Sequence, residues 1–194
     1  TESNNWAVKS VLYLRNGRNR VVTSQIEHHA MLNACHSLKE MNIPVDFLPV
    51  DRHGILQPEI LRSGLKDDSA LVSVMLANNE IGTIEPIQEL ASIAHEHGVV
   101  FHTDAVQAVG HIPIDVKKLG VDMLSASAHK FNGMKGSGFL YIRKGVEIHP
   151  YFDGGSQERG MRAGTENIAA IVAMGYALKK NCARMENMEV KLLR

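Results

Sequence analysis

A lysine stands in an unusual setting within the segment SASAHKFNGMKGSGFLYIRKG, residues 125–145. Lys130 follows a short apolar run that ends in small residues, and a glycine-rich hairpin follows the lysine. Ser127 and His129 come just before it, so a hydroxyl and an imidazole accompany the amine. A lysine in such a setting can form a covalent bond to a carbonyl group. The surrounding elements must supply the groups that make this chemistry useful.

Those elements alternate between short strands and longer helices. Runs rich in Val, Ile, Leu and Phe predict strands at 20–24, 44–50, 70–76, 99–103, 121–126 and 138–143. The last strand follows a short glycine-rich connection, so we expect it to run antiparallel to its neighbour. The alternation is typical of a single α/β domain, with a mostly parallel sheet and helices on both faces.

Three helices are predicted between or after these strands, at residues 29–41, 86–97 and 165 to beyond 185. The last helix is expected to brace the core through one buried stripe. Its members are Ile168, Ile171, Val172, Leu178 and Cys182.

Polar side chains follow four of the predicted strands at their carboxyl ends, where ligands bind in open α/β sheets. They are Glu27 and His28, then Asn78, Asn79 and Glu80, then Asp104 and Gln107, and finally Ser127, His129 and Lys130. Taken singly, each residue has a structural alternative. Lys130 could be a solvated loop lysine, and Asp104 could cap a short helix at 105–109. His28 could cap a strand-to-helix turn, and Asn78 and Asn79 could be ordinary turn residues. Their shared placement favours one binding site.

Lys130 and Asp104 together suit pyridoxal phosphate, which needs a lysine for its aldehyde and an anion for its ring nitrogen. A carboxylate near the pyridine nitrogen favours the protonated ring, which withdraws electrons from a bound substrate. The phosphate needs donors at helix N-termini, and Ser127, His129 and residues 1–3 could supply them. The glycines after Lys130 lack the GK[ST] ending of a nucleotide loop.

Composition excludes several other classes. The chain has 194 residues, 44% of them hydrophobic, and Lys plus Arg equals Asp plus Glu at 21 each. We therefore expect a sizeable core and no nucleic-acid partner. No membrane span or secretion signal is visible, and two cysteines without CxxC spacing favour a reducing cytoplasm. His95 and His97 point in different directions on their helix, so no metal site is expected.

Five motifs, in the expected order, resemble the NifS-like cysteine desulfurases, which are fold-type I pyridoxal phosphate enzymes of the class V aminotransferase family. They are TSQIEHHA, LANNEIGTIEP, FHTDAVQAVG, SASAHKFNGMKGSGFLYIR and GGSQERGMRAGTEN. The resemblance implies that Lys130 carries the cofactor covalently and that His28 helps it in proton transfer. The implied cofactor-binding residues are Thr1, His28, Asn79, Asp104, Gln107, Ser127, His129, Lys130 and Thr165.

The resemblance also implies how this set divides its tasks. Asn79 and Gln107 would bond the phenolate oxygen, Asp104 the ring nitrogen, and His28 would stack on the ring. The phosphate would be held by Thr1, Ser127 and His129. Thr165 would reach the phosphate of a partner subunit, which implies a homodimer with shared sites.

The implied reaction converts L-cysteine to L-alanine and delivers sulfur as a persulfide to an acceptor protein, for iron–sulfur clusters or other thio-compounds. The family's nucleophilic cysteine and substrate-binding arginine lie C-terminal to this segment. Residues 1–194 are thus expected to be a fragment of the large cofactor-binding domain, without an N-terminal segment or the C-terminal small domain, and inactive alone. Cys35 and Cys182 are expected to be inert core thiols.

Three alternatives remain open at this stage. Two belong to the same broad group: a selenocysteine lyase and a small-substrate class V aminotransferase. The third is a noncatalytic cofactor-binding or scaffold domain, in which the fold persists and turnover does not.

Overall fold

Six strands form one sheet in the computed structural model, which describes residues 1–13 and 17–185. The strands are β1 (Arg20–Ser24), β2 (Val45–Leu48), β3 (Ser69–Ser73), β4 (Val100–Asp104), β5 (Met123–Ser127) and β6 (Gly138–Ile142). Their order is β2-β1-β3-β4-β5-β6, and every neighbouring pair is parallel except β5 and β6. The predicted mostly parallel sheet and its reversed last strand are both confirmed.

The helices cover both faces of this sheet. They are α1 (Glu2–Lys9), α2 (His29–Glu40), α3 (Pro58–Gly64), α4 (Ile87–Glu96), α5 (Val116–Leu119) and α6 (Ile168–Cys182). Short 3-10 turns cover Ser10–Tyr13, Ala128–Phe131 and Gln157–Gly160. The predicted helices at 29–41 and 86–97 are confirmed as α2 and α4. The sequence analysis did not predict α1, α3 or α5 as helices.

Two apolar clusters sandwich the sheet because successive residues of a strand point to opposite faces. On one face, Val21 and Leu71 pack with residues of α1 and α2 such as Val8 and Met31. The opposite face packs against α3, α4 and the 3-10 turn that contains Phe131. Burial on both faces explains why the central strands read as continuous apolar runs.

The reversal into β6 depends on the glycine-rich segment after Lys130. Gly136 adopts a φ of 78°, a conformation that side chains with a Cβ rarely take. A Cβ on Gly133 would lie 2.8 Å from the Cβ of Ala128. These two glycines let the chain fold back closely and pair β6 with β5.

The buried stripe predicted for the last helix is correct only at Leu178, which packs against the core. Ile168 and Val172 are 70% and 65% exposed, and Ile171 and Cys182 are also exposed. Besides Leu178, the helix packs through Ala170, Met174, Ala177 and Asn181. Apolar residues occur on several sides of α6, so helical spacing alone does not determine which side meets the core. Cys182 is therefore not the core thiol that was expected, whereas Cys35 is fully buried.

Within the described ranges, 1–13 and 17–185, no helix combines the length and apolarity that a membrane span needs.

Candidate active site

Four neighbouring parallel strands, β1, β3, β4 and β5, end at one edge of the sheet. His28 follows β1, Asn79 follows β3, Asp104 ends β4, and Lys130 lies in the 3-10 turn directly after β5. Parallel pairing therefore brings to one edge the residues that the sequence placed at separate strand ends.

Asp104 is nearly buried at this edge, with 4% of its surface exposed. Its Oδ1 accepts a hydrogen bond from the backbone N–H of Val106 at 2.9 Å, and its Oδ2 accepts one from Nδ2 of Asn4 at 2.6 Å. The capping role that the sequence left open is thus present, although residues 105–109 form turns rather than a helix. Only one of the two carboxylate oxygens takes part in that cap.

Lys130 is half-buried, and its turn is fixed from two other parts of the chain. Nε2 of His111 donates to the backbone carbonyl of Lys130 at 2.8 Å. Nδ2 of Asn181, in α6, donates to the carbonyl of Phe131, the next residue. The backbone that carries the lysine is therefore held at two successive carbonyls.

Two of the residues predicted to bind phosphate, Thr1 and Ser127, occupy N-cap positions. Neither side chain makes a capping hydrogen bond to its own helix or turn. The Ser127 hydroxyl instead lies 2.8 Å from Nδ1 of His129, the third predicted phosphate residue. The first N–H groups of a helix lack partners within the helix, so these hydroxyls and amides suit an anion.

His28 caps α2, with its Nδ1 accepting a hydrogen bond from the backbone N–H of Ala30 at 3.0 Å. The structural alternative for this residue is thus realised. An Nδ1 that accepts a hydrogen bond is unprotonated, so a neutral ring carries its proton on Nε2. The cap fixes the ring orientation and leaves the Nε2–H available.

The adjacent asparagines have different surroundings. Asn78 is buried and shapes the turn after β3, because its Oδ1 accepts from the backbone N–H groups of Glu80 and Ile81. Asn79 is half-buried and donates to Oε1 of Glu80 at 2.6 Å. Gln107 is half-buried in the turn after Asp104. The predicted ligand roles of Asn79 and Gln107 stay predictions.

Thr165 lies exposed just before α6. Its segment is joined to the first turn of α1 by Arg162, whose Nε and Nη2 contact the carboxylate of Glu2 at 2.9 and 3.2 Å. The predicted contact of Thr165 with a partner subunit stays a prediction.

Two buried titratable side chains at or below this edge have structural roles that the sequence did not reveal. Oε1 of Glu27 accepts from the Ser24 hydroxyl at 2.7 Å and from the Met75 N–H at 2.9 Å, and burial raises the pKa of this carboxyl to about 8. His102 connects β3 to β5, with Nδ1 at 2.8 Å from the Ser73 hydroxyl and Nε2 at 2.9 Å from that of Ser125. Burial lowers the pKa of His102 to about 3.

The residues at this edge fit pyridoxal phosphate in their chemistry. A half-buried amine, a buried carboxylate and N-terminal hydroxyls and amides lie at the ends of adjacent strands. Asn4 was missed, and no local signal could have found it, because it meets Asp104 across 100 residues of sequence.

The mostly parallel six-stranded sheet with its helices is the fold of the NifS-like proteins, which is fold type I of the pyridoxal phosphate enzymes. Residues 1–192 match the aminotransferase class-V family, and the chain belongs to that family. This membership confirms the resemblance found in the sequence motifs.

Curated relatives narrow the comparison. The chain is 54% identical over 187 residues to the cysteine desulfurase IscS of Dictyoglomus turgidum, covering 96% of this chain and 48% of the relative. It is 51% identical over 195 residues to IscS of Methanosarcina thermophila, covering 100% of this chain and 48% of the relative. A solved NifS-like protein superposes with a TM-score of 0.92 at 41% identity, covering 96% of this chain and 52% of that one. The chain thus spans about half the length of these relatives.

Proposed function

We propose that this chain is the cofactor-binding large domain of a pyridoxal phosphate-dependent cysteine desulfurase. The observation that carries the proposal is the buried carboxylate of Asp104 beside the Lys130 turn, at the ends of the adjacent strands β4 and β5. The similarity to named cysteine desulfurases along nearly the whole chain supports the same assignment.

The proposal gives each side chain a task. The Lys130 amine would hold the cofactor covalently, Asp104 would face the ring nitrogen, and His28 would lie against the ring. The phosphate would bind at the hydroxyls of Thr1 and Ser127, together with His129. Asn79 and Gln107 would bind the phenolate oxygen. When bound, pyridoxal phosphate supplies an electron sink for the bonds at the substrate Cα.

Lys130 and His28 would together carry out the proton transfers to and from the substrate. The lysine turn is held at two carbonyls by His111 and Asn181, so the amine starts from a fixed backbone. The His28 ring is held by its cap to Ala30. Groups fixed in this way need little reorganisation before a proton moves between them and a substrate.

The rest of the activity would depend on sequence outside residues 1–194. We propose that the persulfide-forming cysteine and the arginine that binds the substrate carboxylate lie there, and that the isolated chain is inactive. A homodimer would bring Thr165 to the phosphate of a second subunit. The whole protein would convert L-cysteine to L-alanine in the cytoplasm and pass sulfur to an acceptor protein.

Reductive labelling of the full-length protein tests the cofactor site. Pyridoxal phosphate is added, the product is reduced with borohydride, and peptides are mapped by mass spectrometry. We expect the label on Lys130, and no label at this segment in Lys130→Ala. Lys135→Ala, at an exposed lysine in the same hairpin, is the matched control and should label normally. Labelling of the Lys130→Ala variant to the wild-type extent would contradict the assignment.

Product analysis then separates the substrate alternatives. We expect alanine and protein-bound persulfide from L-cysteine. Turnover of selenocysteine alone would favour a lyase, and amino transfer to a keto acid would favour an aminotransferase. Cofactor binding without any turnover would indicate a noncatalytic domain.

A further inference from the structure

Asn4 lies in the first turn of α1 and is almost completely buried, with 1% of its surface exposed. Its Nδ2 donates to Oδ2 of Asp104 at 2.6 Å. Asparagine is mostly exposed in proteins, so a buried one with a charged partner requires a reason.

The two oxygens of the Asp104 carboxylate are held by different donors. The backbone N–H of Val106 binds Oδ1, and the side chain of Asn4 binds Oδ2. The first bond belongs to the turn after β4, and the second comes from a helix on the face of the sheet. Together they fix the plane of the carboxylate, which a single hydrogen bond would leave free to rotate.

The orientation of the Asn4 amide supports a specific role. Its Oδ1 is buried and has no hydrogen-bond partner among the described residues. A buried acceptor without a partner costs free energy. Turning the amide over would place that oxygen against the negative carboxylate of Asp104. The chain therefore tolerates an unpaired oxygen in order to present an N–H to Asp104.

The position of Asn4 also links two parts of the proposed site. Thr1, a proposed phosphate residue, is the N-cap of α1, and Asn4 lies three residues later in the same helical turn. A rigid helix turn thus sets the distance between the phosphate end and the carboxylate that would face the ring nitrogen.

We propose that Asn4 is a positioning residue that orients the Asp104 carboxylate toward the ring nitrogen of pyridoxal phosphate. This inference rests on the proposed function. Asn4 acts through Asp104 and does not itself touch the ring. Removing its N–H should weaken recognition of the ring nitrogen and leave recognition of the phosphate unchanged.

The test uses two ligands on the full-length apoprotein: pyridoxal phosphate, and its analogue in which a carbon replaces the ring nitrogen. Equilibrium dialysis gives both dissociation constants for wild type, Asn4→Ala and Asn4→Leu. Asn4→Leu keeps a side chain of similar shape without a donor or a charge if the alanine variant does not fold. Ser10→Ala is the matched structural control, since it removes a buried hydrogen bond at the other end of the helix, to the Ala7 carbonyl at 2.6 Å.

The quantity to compare is the preference for pyridoxal phosphate over the analogue, taken as the ratio of the two dissociation constants. This preference should fall about tenfold in both Asn4 variants, the size expected for losing a hydrogen bond to a charged group. It should stay unchanged in Ser10→Ala. Equal weakening of both ligands would show a merely structural role and overturn the inference, as would an unchanged preference. If wild type bound both ligands equally, Asp104 would not recognise the ring nitrogen. The inference that Asn4 acts through Asp104 would then be overturned as well. Wild type that binds neither would instead overturn the proposed function.

Discussion

Asn181, near the end of α6, donates a hydrogen bond to the backbone carbonyl of Phe131, the residue directly after Lys130. This bond joins the last described helix to the lysine turn. Asn132 donates to Oδ1 of Asn181 at 3.2 Å, so the amide is engaged on both sides. The position of α6 is thereby linked to the backbone that carries the proposed reactive amine.

Asn181→Ala should destabilise the fold, because the Phe131 carbonyl loses its side-chain partner. A buried polar group left without a hydrogen bond costs about 1–3 kcal/mol, and we expect a loss of that size in the free energy of unfolding. Urea denaturation measures it. Lys180→Ala, at the adjacent exposed position, should change the free energy by less than about 0.5 kcal/mol. Equal stability of the two variants would show that the hydrogen bond contributes nothing.

Glu27 should make stability fall as the pH rises. Burial raises the pKa of this carboxyl from 4.5 to about 8, so the folded state keeps a proton that the unfolded chain loses. The stabilising contribution of Glu27 to the free energy of unfolding is fully present below pH 4.5 and is lost as the pH rises through about 8. Glutamine does not titrate, so Glu27→Gln should not show this loss of stability. Its free energies of unfolding at pH 5 and pH 8.5 should therefore differ less than those of wild type. Glu59→Gln, at an exposed glutamate, is the control. A parallel pH dependence of wild type and Glu27→Gln would contradict the prediction.

His102 should act in the opposite direction. Its pKa falls from 6.5 to about 3 because the ring is buried, so the unfolded chain binds a proton that the folded state does not. Stability is then lost as the pH falls below about 6.5. Denaturation at pH 7 and pH 5 should show a smaller acid loss in His102→Gln than in wild type. An equal loss in both proteins would mean that another group causes the acid sensitivity.

The two cysteines should differ in reactivity. Burial and the nearby Glu27 raise the pKa of the Cys35 thiol to about 12, and thiolates rather than thiols react with alkylating agents. Cys182 is exposed at the end of α6. Iodoacetamide on the native protein should label Cys182 and leave Cys35 unmodified until urea is added, as mass spectrometry can show. Rapid native labelling of Cys35 would indicate that α2 opens readily.

The exposed side of α6 should promote self-association of the 194-residue chain. Ile168, Val172 and Tyr176 are 70%, 65% and 68% exposed and lie on one side of the helix. Contiguous apolar surface of this kind favours association. Light scattering should detect species larger than a monomer, and Val172→Lys combined with Tyr176→Lys should reduce them. A monodisperse monomer at high concentration would contradict this prediction.

Much of the fold could be predicted because its signals are local. Strands such as Arg20–Ser24 are short runs of β-branched residues between polar turns, and the helix His29–Glu40 places Met31, Cys35 and Leu38 at helical spacing. The helix Glu2–Lys9 was missed because TESNN begins it with polar residues and the apolar spacing appears only from Trp6 onward.

The sequence alone determined the alternation of strands and helices and the residues that follow each strand, since hydrophobic period and order along the chain are local properties. It also placed Lys130 and Asp104 at the carboxyl ends of neighbouring strands, because parallel strands end at a common edge. Only the tertiary structure decided which side of α6 is buried, and that Asn4 and Asn181 reach Asp104 and Phe131. These contacts join residues 100 and 50 positions apart, and close packing of whole elements selects such partners rather than any nearby sequence pattern.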